Sequence, residues 1–152
     1  MDDKLSSDYI RGLIEGEGCF TFHTTNRGMG RSPGKTKLPA FVLAMSTQDN
    51  HLVELVKQSL GLKNKVHSYP PRSRSDGYTR QGMSILVVRD FPQLKNIIVP
   101  FFHKSLRGNK AIQFRRWIQQ IGSDPSVPEA YKLLELWSRD GGFYDKGNKI
   151  LK

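Results

Sequence analysis

The 152-residue sequence predicts an α+β fold of order αββαββα, with helices on one face of an antiparallel sheet, the other face open, and extra helices at the C-terminal end. Three observations predict it. A helical apolar pattern and a pair of strand patterns occur together twice along the chain. The first strand, Phe20 to Thr25, opens with strict alternation of aromatic and polar side chains, the period of a sheet with one buried and one wet face. The segments joining each strand pair are basic and rich in glycine, proline or serine, as exposed loops are.

Each element has its own local cause. Ser6 or Ser7 can cap a first helix in which Tyr9, Ile10, Leu13 and Ile14 keep the three-and-four spacing of one apolar face, and Gly16 and Gly18 stop it. The strand from Phe20 and a returning strand from Leu38 to Met45 make a first hairpin, about residues 19–46. Ser46 with Asp49 resembles a capping box for a helix striped by Leu52, Val53, Val56 and Leu60 and ended by Gly61. A second hairpin, about residues 65–89, pairs Val66 to Tyr69 with Met83 to Val88 across the basic stretch Pro71 to Gly82. Asp90 with Gln93 opens a helix through Leu94, Ile97 and Ile98 that Pro100 is expected to close. The C-terminal helices, about residues 105–140, follow Ala111, Phe114, Ile118 and Ile121 to Gly122. A Ser126/Glu129 capping box then starts the last of them, which runs through Leu133, Leu134 and Trp137 to Gly141 and Gly142.

With 37% hydrophobic residues, the chain can bury one core and is read as a single domain over 1–152. The lone Cys19 and the absence of zinc-finger spacing exclude a disulfide framework and a structural zinc site. No apolar run is long enough to span a bilayer, and the first residues, Met1-Asp2-Asp3-Lys4, are acidic where an import signal is basic. A soluble protein in a reducing compartment, with no membrane partner, is expected. The 24 Lys and Arg against 14 Asp and Glu give a net charge of +10, which points to a polyanion, nucleic acid first. Between Cys19 and Ser46 there are four Lys and Arg and no acid.

The segment Ile10-Arg11-Gly12-Leu13-Ile14-Glu15-Gly16-Glu17-Gly18 concentrates the chemistry. Gly12 and Gly16 are four apart and share a helix face, smooth enough for another helix backbone to approach. Glu15 and Glu17 sit at a helix C-terminus, where the macrodipole disfavours acids, so a compensating positive charge is required. A divalent metal held by carboxylate, terminal carbonyls and phosphate would supply it.

This segment resembles the nine-residue signature of the LAGLIDADG homing endonucleases, in its Glu-Gly-Glu-Gly variant. The downstream strand and helix order is similar to that family too, as is Pro100-Phe101-Phe102 ahead of Leu106 to Ala111. Arg11 departs from the small residue usual at its place, and helix packing is where that departure acts. The resemblance implies that Glu17 binds the catalytic metal, that the Gly16 carbonyl assists, and that Glu15 is structural or interfacial. It implies Mg²⁺, with Mn²⁺ or Ca²⁺ able to substitute for binding. It also implies basic residues that order water, matched by Arg107 and Lys110 with Lys104 as a substitute. A glutamine often ends the second strand of the family; here Met45 holds that place and Gln48 follows three residues later.

Only one such motif is present, since Asp140-Gly141-Gly142 lacks the apolar run before it. One Glu17 cannot serve two scissile phosphates. The resemblance therefore implies a homodimer built on the helix Ser7 to Glu15 through Gly12, Leu13 and Gly16, acting on a long pseudo-palindromic double-stranded DNA. It implies a staggered double-strand break. If Phe20 and Phe22 face the helices, then Thr21, His23, Thr25 and, on an extended strand, Arg27 face the DNA. The first hairpin adds Arg31, Lys35 and Lys37, and the second offers His67, Tyr69, Arg72, Arg74, Tyr78, Arg80 and Gln81 for base or phosphate contacts. The alternatives are an intron RNA maturase, with intron RNA as partner, or a nuclease-dead binding protein of the same fold; a transcription regulator would need a further domain. The resemblance implies an intron-encoded protein, working in an organelle of a eukaryote or in the cytoplasm of a prokaryote.

Overall fold

A computed structural model describes residues 4–26, 35–73, 75–77 and 79–140. Helix α1 (Ser7–Glu17) starts where the Ser6 hydroxyl accepts from the Tyr9 N–H, and it passes directly into strand β1 (Gly18–Asn26). Strand β2 (Lys35–Ser46) returns antiparallel to β1, with Phe20 opposite Phe41 and Gly18 opposite Leu43. A 3-10 turn, Thr47–Asp49, capped by the Ser46 hydroxyl, leads into α2 (Asn50–Leu60). Gly61 ends α2 in the left-handed region, φ 74°, as a helix stop requires. The chain then forms β3 (His67–Tyr69), a two-stranded arm of β4 (Arg72–Ser73) with β5 (Thr79–Arg80), and β6 (Met83–Val88). The main sheet has the order β1-β2-β6-β3, all antiparallel.

Strand pleat sorts the sheet's two faces. Phe20, Phe41, Leu43, Leu86 and Val88 point into the helical layer and are at most 4% exposed. Phe20 is the hub of that core, with its ring 4.9 to 5.6 Å from those of Phe114, Trp117, Phe102 and Phe41. Such edge-on and tilted contacts hold two strands and two helices to one point. A polar cluster fixes the far edge: Ser68 and the fully buried Ser84 both donate to the Asn50 amide oxygen, at 3.0 and 2.8 Å.

Two expectations about helix ends need correction. Pro100 does not close its helix. After α3 (Phe91–Gln93), capped by Asp90, the turn Leu94–Ile98 is π-helical, and α4 (Val99–Phe102) continues through the proline. The Val99 N–H already bonds five residues back, to Leu94, so the wider turn leaves room where an α-helix would clash with the proline ring. Ser126 does not cap the last helix either. Its N–H is taken by the Asp124 carboxylate at 2.8 Å, and the 3-10 turn Glu129–Lys132 begins behind Pro128, whose fixed φ suits a helix start. That turn runs into α6 (Leu133–Asp140); the proposed stop at Gly141 and Gly142 lies outside the described residues. The intervening helix α5 (Asn109–Ser123) lies against α1, β1 and α6.

Candidate functional site

The C-terminus of α1 and the N-terminus of α5 meet. Glu15 bridges them, and Glu17 stands exposed at the end of α1, so the structure separates the surroundings of the motif's two acids. The Glu15 carboxylate accepts the Arg107 N–H at 2.6 Å and the Gly108 N–H at 3.2 and 3.3 Å, at the head of α5. The compensation an acid needs at its own helix end thus comes, for Glu15, from the positive end of another helix. Glu17 is the last residue of α1, and its side chain is exposed. The Lys110 ammonium donates to the Gly18 carbonyl at 2.5 Å, one residue beyond Glu17.

Gly18 is required by space. A Cβ there would stand 2.5 Å from Ile14 Cγ2 and 3.1 Å from the Ile14 carbonyl oxygen. Ile14 is β-branched and fully buried, so it cannot swing aside. The tight turn hands the chain from helix to strand and leaves the Glu17 side chain at the junction. The last helical bond is Gly18 N–H to Ile14, so the Gly16 carbonyl belongs to the final turn and has no partner within the helix. Glu17 and the Gly16 carbonyl are hard oxygen donors of the kind Mg²⁺ takes, and they fit a cation that also binds phosphate and water. Among the described residues no three His, Cys, Asp or Glu side chains converge, so one chain alone offers only part of such a shell.

Arg107 is exposed, joined to this junction through its N–H. Gln48 is exposed in the 3-10 turn and lies beyond Ser46, itself three residues, about 10 Å of strand, past the Leu43 that faces Gly18. It is not brought into contact with the others. Met45 stands on the helical face opposite the buried Ser84 and packs on the core.

On α1, Gly12 and Gly16 are exposed, and a Cβ at either would meet nothing within 4 Å. Tyr9 on the same side is 49% exposed, whereas Leu13 is half-buried against the core. Arg11 turns away from this strip: its guanidinium donates twice to the Phe101 carbonyl and sits 4.4 Å over the Phe101 ring. That accounts for a long side chain at a place where a small one is usual.

On the open face of the sheet lie Thr21, His23 and Thr25 of β1 and His67 and Tyr69 of β3. His23, His67 and Tyr69 are exposed, Thr21 and Thr25 half-buried. Between them β2 and β6 present an unanticipated stripe, Leu38, Val42, Ala44, Ile85 and Val87, with Ala40 on the same face but buried. Lys35, Arg72 and Gln81 are exposed at strand ends. Lys37 is a correction: it stands on the helical face, and its ammonium pairs with the Asp124 carboxylate at 3.2 Å. The Ser126 N–H, Gln120 and Lys37 together hold the Asp124 carboxyl down at about 2. Arg27, Arg31, Arg74 and Tyr78 lie outside the described residues, and of Arg80 only its place in β5 is described.

Sequence reasoning missed two sutures between α5 and β1. The Phe20 N–H donates to Gln113, and the Trp117 indole N–H donates to the Thr21 carbonyl at 2.7 Å. They tie the edge strand that follows Glu17 to the helix that carries Lys110. No periodicity marks them, because Gln113 and Trp117 read as surface and core of an ordinary amphipathic helix.

This fold, a motif helix running straight into an antiparallel sheet, is similar to that of solved homing endonucleases. The chain is similar to the homing endonuclease I-TnaI, at 21% identity and TM-score 0.59, over 97% of this chain and 82% of that one. It is similar to the LAGLIDADG homing endonuclease I-LtrWI bound to target DNA, at 22% identity and TM-score 0.56, over 90% and 45%. The group I intron-encoded homing endonuclease I-CeuI, complexed with DNA, matches at 15% identity and TM-score 0.57, over 97% and 62%. The chain thus spans under half of I-LtrWI, and likewise 39% of I-SmaMI. No curated protein is similar in sequence. The family model of the LAGLIDADG endonucleases matches residues 10–121, and the chain belongs to that family.

Proposed function

We propose that the chain is a site-specific homing endonuclease that cuts both strands of a long pseudo-palindromic DNA as a homodimer, leaving a staggered break. The observation that carries this reading is the exposed Glu17 carboxylate at the α1–β1 junction, with the Lys110 ammonium fixed one residue away. Glu17 and the Gly16 carbonyl would hold a divalent cation, Mg²⁺ in the first place. The bound cation would neutralise phosphate charge and acidify water. Lys110, held at the Gly18 carbonyl, and the exposed Arg107 add positive charge where a phosphate would approach. Each chain brings one Glu17, so cutting two strands calls for a second copy, and the bare Gly12/Gly16 strip of α1 supports a helix-to-helix interface there.

The open sheet face lies on the DNA in this reading. His23, His67 and Tyr69 offer polar groups for base edges, the central apolar stripe suits thymine methyls, and Lys35 and Arg72 suit phosphates. The test is incubation with a duplex spanning the host gene's intron-insertion junction, with Mg²⁺ or with a chelator. Cleavage confined to the Mg²⁺ reaction is expected. Binding without cleavage in either reaction overturns the nuclease reading in favour of a binding protein or maturase.

A further inference from the structure

We propose that Glu15 is a positioning residue for the proposed cleavage site, acting through Lys110. The inference rests on the nuclease reading for its consequence but on geometry for its substance. The Glu15 carboxylate takes the N–H groups of Arg107 and Gly108 immediately before α5 begins. Two residues on, in the first turn of that helix, Lys110 reaches back to the Gly18 carbonyl. The two contacts run in opposite directions, acid of α1 to amides at the head of α5, then ammonium of α5 to the backbone past α1. Together they close a clasp across the α1–β1 junction, from Glu15 on one side of Glu17 in the chain to Gly18 on the other.

The clasp is electrostatically consistent. A carboxylate facing the positive end of α5 and an ammonium at a carbonyl just past the negative end of α1 are each charge-assisted bonds, stronger and more directional than neutral ones. A lysine has four rotatable carbons and would otherwise sweep several ångströms. Its ammonium can hold station at the Gly18 carbonyl only if the α5 backbone is held in register with α1. Around this junction the sutures to β1 from Gln113 and Trp117 begin a full turn further along α5. Among the described residues, Glu15 is the α1 side chain that hydrogen-bonds the residues leading into α5. Loss of Glu15 therefore frees the Lys110 end of α5 while leaving the rest of the helix docked.

The test uses the wild-type chain, three single variants, Glu15→Ala, Glu15→Gln and Lys110→Met, and the double variant of Glu15→Ala with Lys110→Met. The Gly18 carbonyl carbon shift in the NMR spectrum reports whether the lysine is seated, with or without cleavage activity. Lys110→Met gives the unseated value. Glu15→Ala is expected to move the Gly18 shift towards that value, to raise hydrogen exchange at the Arg107 and Gly108 amides, and to slow single-turnover cutting at least tenfold with DNA affinity within threefold. Glu15→Gln keeps one acceptor oxygen and the folded chain, and should fall between.

In the Lys110→Met background, adding Glu15→Ala should slow cutting by less than twofold, because the two act as one unit. A Gly18 shift left at the wild-type value in both Glu15 variants overturns the proposal, as does a full additive loss in the double variant. If the wild-type chain cuts no DNA, the nuclease reading fails on its own, and the Gly18 shift still decides whether Glu15 seats Lys110.

Discussion

Gly12→Ala separates the fold of one chain from its assembly. A Cβ at Gly12 meets nothing within 4 Å in the single chain, and the position is mid-helix. The substitution therefore adds no strain and removes the conformational cost of a helical glycine, a gain of about 0.5–1 kcal/mol. For a chain of this length that gain raises the melting midpoint by about 1–4 °C. At a helix-to-helix interface between two copies, the same methyl enters the contact twice. Overpacking costs roughly 1–3 kcal/mol, so the dimer dissociation constant should rise by about tenfold to a hundredfold. Sedimentation velocity over a concentration series reads the association, and calorimetry at concentrations where monomer dominates reads the fold. A more stable monomer with weakened self-association is expected. Unchanged association would refute the assignment of the Gly12/Gly16 strip as the interface, and a less stable monomer would refute the open space around Gly12.

Gly18→Ala should destabilise the folded chain by about 1–3 kcal/mol, through the clash with buried Ile14, and urea unfolding measures it. Asp124→Asn tests the tether of β2 to the helical layer. The folded carboxyl lies at about 2 against an ordinary 3.8, so its stabilisation is complete above the ordinary value and disappears as pH falls through about 2. The variant's melting midpoint should lie below the wild type at pH 7, and the gap should close between pH 4 and pH 2. A gap that stays constant over that range contradicts the Asp124 carboxylate, held first by the Ser126 N–H and Gln120 and then by Lys37, as its source.

The layer architecture was legible because each element carried its own period and caps: Ser6 before α1, Asp90 before Gln93, Phe20 alternating with Thr21. Pro100 was misread because a local rule about α-helices met a π turn, which depends on how Leu94 and Ile98 bury together. The place of Glu17 at the end of α1 was legible from the nine-residue motif. The role of Glu15 was legible only in part: its place at a helix end demanded positive charge, but the donors are 92 and 93 residues away in sequence. Lys37 was misassigned to the DNA because a basic residue on a hairpin was counted by charge. The alternation through Leu38 to Phe41 already placed it on the buried side, where Asp124 waits.

The central claim, that Glu17 carries metal-dependent cleavage, is tested most directly by Glu17→Gln on the insertion-junction duplex under single-turnover conditions in Mg²⁺. The amide keeps the shape and removes the charge at an exposed position, so folding should be unaffected. Loss of a charged metal ligand worth about 3–4 kcal/mol to the reaction slows cutting by roughly two to three orders of magnitude, while DNA affinity stays within a few-fold of wild type. Cleavage by Glu17→Gln at the wild-type rate would contradict the account.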